Sequence, residues 1–103
     1  MPIDDKYLEQ LEELRRAYLA DRRLDATAMR TLVAGGRFDD VTRLSHRMRG
    51  SGATYGFAEV SVLGGNLESA AIANDAGRVN ALLDNLDKWL TDAQGHATNE
   101  GDS

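Results

Sequence analysis

The segment Leu44–Phe57, LSHRMRGSGATYGF, sets one histidine beside arginines and follows it with three glycines. A neutral imidazole nitrogen is a nucleophile, and nearby guanidinium groups disfavour ring protonation while stabilising an incoming phosphoryl group. His46, flanked by Arg43, Arg47 and Arg49, is therefore suited to carry phosphate. It is poorly suited to hold a metal, because the flanking charges repel cations and no second His or carboxylate stands at i+3 or i+4.

Helical phase decides which way these groups point. With Val41 taken as zero and 100° per residue, Leu44 falls at about 300°, Ser45 at about 40° and Met48 at about 340°, which defines a buried stripe. His46 falls at about 140° and Gly50 at about 180°, on the outward face. An interior glycine costs a helix about 1 kcal/mol relative to alanine, so Gly50 needs a reason other than helix stability. One turn beyond His46 it clears the surface beside the ring, as a docking platform would require.

Other candidates carry less chemistry. His96 is expected in a solvated tail, Trp89 and Leu90 in the core, and Asp39 and Asp40 in a first helical turn where acidic side chains suit the dipole. Gly64-Gly65 is expected to mark close packing of one helix against its predecessor.

The elements that must position His46 read as helices throughout. Tyr7, Leu8, Leu11, Leu14, Tyr18 and Leu19 form an apolar stripe at helical spacing. The run Asp21-Arg22-Arg23-Leu24-Asp25 loosens the pattern. Asp25 can then cap a shorter second helix through Ala28, Met29, Leu32 and Val33, which Gly35-Gly36 ends. The third helix carries Phe38, Val41, Leu44, Ser45 and Met48 inward and stops at Gly56. The fourth carries Val60, Leu63, Leu67, Ala70 and Ala71, and the fifth, starting near 74–77, carries Val79, Leu82, Leu83, Leu86, Trp89 and Leu90. Short connections make an antiparallel, all-α bundle the economical architecture.

The 103 residues suit one domain, and the lack of cysteine excludes disulfides and thiolate zinc sites. A net charge of −5 argues against general nucleic-acid binding, while the arginines between positions 37 and 49 make one basic patch suited to an acidic partner or small anion. No apolar run approaches the ~20 residues of a membrane span, and a cytoplasmic chain without membrane or nucleic-acid partners is expected. Residues 94–103, QGHATNEGDS, read as a disordered polar tail after a domain at 1–93. The initiating Met1 and short tail point to a free-standing chain.

The motif His46-Arg47-Met48-Arg49-Gly50-Ser51, with Gly56 ten residues after the histidine, resembles the H-x-x-K-G-S signature of histidine-containing phosphotransfer (HPt) domains. Leu63, Leu67 and Glu68 resemble the family's L-x-x-x-L-E in the following helix, and Ala34–Asp39 resembles the turn before the histidine helix. The resemblance spans residues 4 to 93. It implies an antiparallel up-and-down four-helix bundle with an additional short N-terminal helix. His46 would be the phosphoacceptor, taking a phosphoryl group from a response-regulator receiver aspartate and passing it to another. Arg49 would stabilise the phosphate, Gly50 would give steric clearance, and Arg43, Arg47 and Ser51 would bind the partner. Arg49 stands where the family usually has Lys, and its planar guanidinium places the charge differently.

The same resemblance implies a monomeric phosphocarrier rather than an enzyme, without cofactors of its own, the Mg2+ belonging to the receiver. A hybrid sensor histidine kinase is a further expected partner. No P-loop or kinase nucleotide site is present in the sequence, so phosphate must arrive from a partner. The alternative is a non-phosphorylated helical adaptor that binds a receiver domain or kinase, which would have no need of His46. A generic helical-bundle enzyme lacks a second polar cluster.

Overall fold

The computed structural model describes residues 4–99, with side chains described through residue 95. Four helices follow one another: α1 Asp5–Ala34, α2 Phe38–Gly52, α3 Ala58–Ile72 and α4 Ala76–Asn99. Each packs on two neighbours in the ring order α1, α2, α3, α4, and α2 with α3 is the tightest pairing. No strand occurs among the described residues.

The core is made of the apolar positions that helical spacing brings to one line. Met29, Val41, Met48, Val60, Leu67, Val79, Leu83, Leu86 and Leu90 are all fully buried. Ser45 is the one polar side chain among them, and its hydroxyl faces the Met29 sulfur at 3.6 Å.

The expected break between a short N-terminal helix and a second helix is absent, and α1 is one continuous helix of 30 residues. Asp25 does not cap. Its carboxylate pairs instead with Arg22 Nε at 3.0 Å, three residues back on the same face. The Arg22 guanidinium also lies over the Tyr18 ring, 4.3 Å from its centroid. Burial pushes the Asp25 carboxyl up from its usual value, against the lowering effect of Arg22 and Arg47. The charged run is thus a helix face whose charges are used sideways. The N-cap falls at Asp4, whose side chain accepts from Lys6 N at 3.1 Å.

At the other end of the chain, α4 continues to Asn99, past residue 93 where a polar tail was expected to begin. Arg23 of α1 holds this stretch by donating to Gln94 Oε1 and to Thr91 Oγ1, each at 2.6 Å. Residues 100–103 and the side chain of His96 lie outside the described residues.

Two left-handed glycines turn the chain, Gly36 (φ 71°) before α2 and Gly56 (φ 87°) before α3. The second turn is seated by aromatic rings. Tyr18 stacks on Tyr55 at 4.3 Å and on Phe57 at 5.9 Å, and Phe57 meets the edge of Trp89 at 5.7 Å. Arg15 completes the arrangement by donating from Nε to the Tyr55 carbonyl at 3.1 Å.

Candidate functional site

The closeness of α2 to α3 comes from glycine. A Cβ on Gly64 would lie 2.6 Å from the backbone nitrogen of Arg49, and one on Gly52 only 2.5 Å from the Ser61 nitrogen. Neither position admits a side chain, so the two helix backbones touch. Gly65 serves the same contact more loosely, with the Arg49 stem lying across it. Close helix packing, expected for Gly64-Gly65, therefore accounts for Gly52 as well. Gly50 is different, because nothing stands within 4 Å of where its Cβ would be.

This contact brings Glu68 of α3 to His46 of α2. Glu68 Oε2 lies 2.7 Å from His46 Nδ1, and Arg49 Nη1 donates to Glu68 Oε1 at 3.0 Å. The Glu68 side chain is 14% exposed against 62% for His46, so the carboxylate sits under the ring and leaves its outer edge in solvent. Sequence reasoning placed Glu68 in a motif and gave it no role.

The remaining candidates separate into two groups. His46 and Gly50 share the outward face as phase arithmetic required, and Arg49 flanks it on the side of α3, where it donates to Glu68. Arg43 and Arg47 stand beside it and line, with Leu32, Leu44 and Glu68, an open concavity next to His46. Arg43 is drawn toward the start of α2 by an ion pair with Asp40, which also pairs with Arg37 at 2.6 Å. The guanidinium groups of Arg43 and then Arg37 hold the Asp40 carboxyl below its usual value. Ser51 points elsewhere: its hydroxyl is 2.7 Å from Tyr18 OH and 3.5 Å from Arg22 Nη1, so it ties α2 to α1 behind the histidine face.

What this arrangement can do follows from its parts. It presents an imidazole edge to solvent, fixes the ring's other nitrogen on a carboxylate, sets a cation beside it, and leaves bare backbone one turn away. No group of metal-ligating side chains occurs among the described residues, and no described helix is long and apolar enough to cross a membrane.

Comparison with curated proteins and with solved structures returns no significant match. A protein-family model described as the Hpt domain matches residues 6–96, which takes in α2 and α3 whole, all but the first residue of α1 and all but the last three of α4, and every residue of the His46 face. An all-α four-helix bundle, a histidine outward on its second helix and a model match over most of its length place this chain in the Hpt domain family.

Proposed function

We propose that the chain is a phosphorelay intermediate in which His46 Nε2 accepts a phosphoryl group from a receiver-domain aspartate and returns it to another. Membership already gives the coarser part: Hpt domains serve in phosphorelays, carry phosphoryl groups without a catalytic site or cofactor of their own, and work with receiver domains. The observation that carries the finer reading is the 2.7 Å contact of His46 Nδ1 with Glu68.

A carboxylate at Nδ1 favours the tautomer with the proton on that nitrogen, which leaves the Nε2 lone pair facing solvent. As Nε2 attacks phosphorus, the bond from phosphorus to the aspartyl oxygen breaks and the carboxylate leaves. The ring gains positive charge, which Glu68 offsets through the Nδ1 proton. In the reverse direction the same contact lets a neutral imidazole depart. Arg49, anchored on Glu68 and 54% exposed, stands ready to meet the phosphoryl oxygens. Gly50 leaves room for the receiver's loops. Ser51 acts on this site indirectly, by fixing α2 against α1.

The test is incubation with a panel of phosphorylated receivers, hybrid-kinase receivers included, followed by mapping of acid-labile phosphate. Label on His46 and none on a His46→Gln variant is the expected result. A labelled His46→Gln protein overturns the assignment, and receiver binding without any label favours the adaptor reading.

A further inference from the structure

We propose that Asp25 of α1 is a positioning residue for Arg47, holding that cation on the α1 side of the His46 face and thereby limiting how tightly a receiver binds. The effect on binding rests on the phosphotransfer reading for the identity of the partner.

Four arginines lie on α2 or at its start, and three of them have a carboxylate in contact. Arg37 and Arg43 share Asp40, and Arg49 donates to Glu68. Arg47 is exposed and joins no ion pair or hydrogen bond among the described residues. The carboxylate that feels its charge is Asp25, across the seam between the two helices.

Register explains the meeting. Two contacts align α1 with α2: Ser51 stands against Tyr18 and Arg22, and Ser45 against Met29. Asp25 follows Arg22 by three residues and Arg47 precedes Ser51 by four, so both fall between those two levels. On the phase scale used above Arg47 falls at about 240°, within about 40° of Ser51 and about 100° from His46. It therefore flanks the histidine face on the side of α1.

Arg22 holds Asp25 from the other side. Its Nε lies 3.0 Å from the carboxylate, its guanidinium covers the Tyr18 ring and its Nη1 reaches Ser51 at 3.5 Å. That buried Nε nevertheless lacks a well-directed hydrogen bond, so the pair is close and imperfect. Burial outweighs both cations at Asp25, and a carboxyl raised in this way weakens the fold once it ionises. A charge that the fold does not need is explained by what it does to its neighbour.

That neighbour stands where a partner must sit. Arg47 lines the concavity beside His46 with Leu32 and Leu44, so a domain seated on the histidine covers it. An uncompensated cation there would draw the receiver's acidic pocket more strongly and slow its departure. A carrier that exchanges partners in both directions must also let them go, and Asp25 keeps the attraction in check.

The experiment measures transfer from a phosphorylated receiver at varied chain concentration, and calorimetric binding of the unphosphorylated receiver to the same variants carrying His46→Gln. Asp25→Asn keeps the shape and an acceptor for Arg22, so it should fold. Its half-saturation and Kd should fall about threefold at low salt, with the limiting transfer rate unchanged and the gain fading as salt rises. Arg47→Gln should raise both by a similar factor, and adding Asp25→Asn to it should change nothing further. Asp25→Glu, which keeps the charge, should recover most of the wild-type affinity. Asp92→Asn makes the same charge change on the exposed side of α4, away from α2, and is the control. An Asp25→Asn effect that persists in Arg47→Gln protein, or that Asp92→Asn reproduces, would overturn the inference, as would a change in limiting rate alone. Carbon-13 titration of the Asp25 carboxyl gives an arm that needs no receiver: removing Arg47 should raise it further, and an unchanged titration would overturn the pairing. Wild-type protein that takes no label from any receiver would remove the phosphotransfer reading, and the titration would still decide whether Asp25 holds Arg47.

Discussion

Glu68 touches His46 at Nδ1 and Arg49 at the same time, so one carboxylate sets both the ring's orientation and the position of its neighbouring cation. The two helices that carry them meet backbone to backbone at Gly64, which leaves the pair little freedom to drift.

Replacing Glu68 with Ala should slow transfer by about 10–100-fold, because a hydrogen bond to a charged group is worth about 1.5–3 kcal/mol. Glu68→Gln keeps an acceptor for the Nδ1 proton and loses only the charge, so it should fall between. Nitrogen-15 shifts of the phosphorylated wild-type ring should report phosphate on Nε2. Phosphate on Nδ1 would contradict the role given to Glu68.

His46→Gln should leave helical content and melting close to wild type, since an outward, exposed side chain contributes little to the core. Phosphoryl acceptance should vanish. Circular dichroism and acid-labile labelling on one preparation check both halves.

Arg49→Ala should cost transfer about 10²-fold while receiver binding changes little, as expected for a donor that meets charge only as it moves. Arg49→Lys should be milder. Equal losses in the two variants would show that the planar fork held by Glu68 matters, and that a point charge cannot replace it.

Gly50 and Gly64 should respond in opposite ways. Gly50→Gln adds a side chain to open space and should raise stability by up to about 1 kcal/mol while suppressing transfer. Gly64→Ala forces a Cβ to within 2.6 Å of the Arg49 nitrogen and should cost about 1–3 kcal/mol or more. Thermal melts and transfer rates measured on both variants separate partner clearance from helix packing.

The outward phase of His46 and Gly50 was legible because a 3.6-residue period needs no tertiary information. The left-handed turns at Gly36 and Gly56 were legible for the same reason, since a left-handed residue is a local matter, but α2 itself ends at Gly52, four residues before the stop expected at Gly56. Glu68 was not, because its meeting with His46 depends on the register of α3 against α2, which the contacts at Gly52 and Gly64 impose. The continuity of α1 was hidden too: Arg22 finds Tyr18 and Asp25, and Arg23 finds Thr91 and Gln94, partners that a reading of local polarity takes for a break. A cap signal such as Asp25 is only an offer, and a nearby cation outbid it.

Trp89 is the only tryptophan in the chain, and its edge rests on Phe57, the ring that also stacks on Tyr18. Its fluorescence is therefore a native optical gauge of how the α2–α3 turn is seated on α1, readable without any label. Excitation at tryptophan wavelengths would follow loosening of that turn in real time, in titrations or stopped flow, while the histidine face itself contains no tryptophan to confuse the signal.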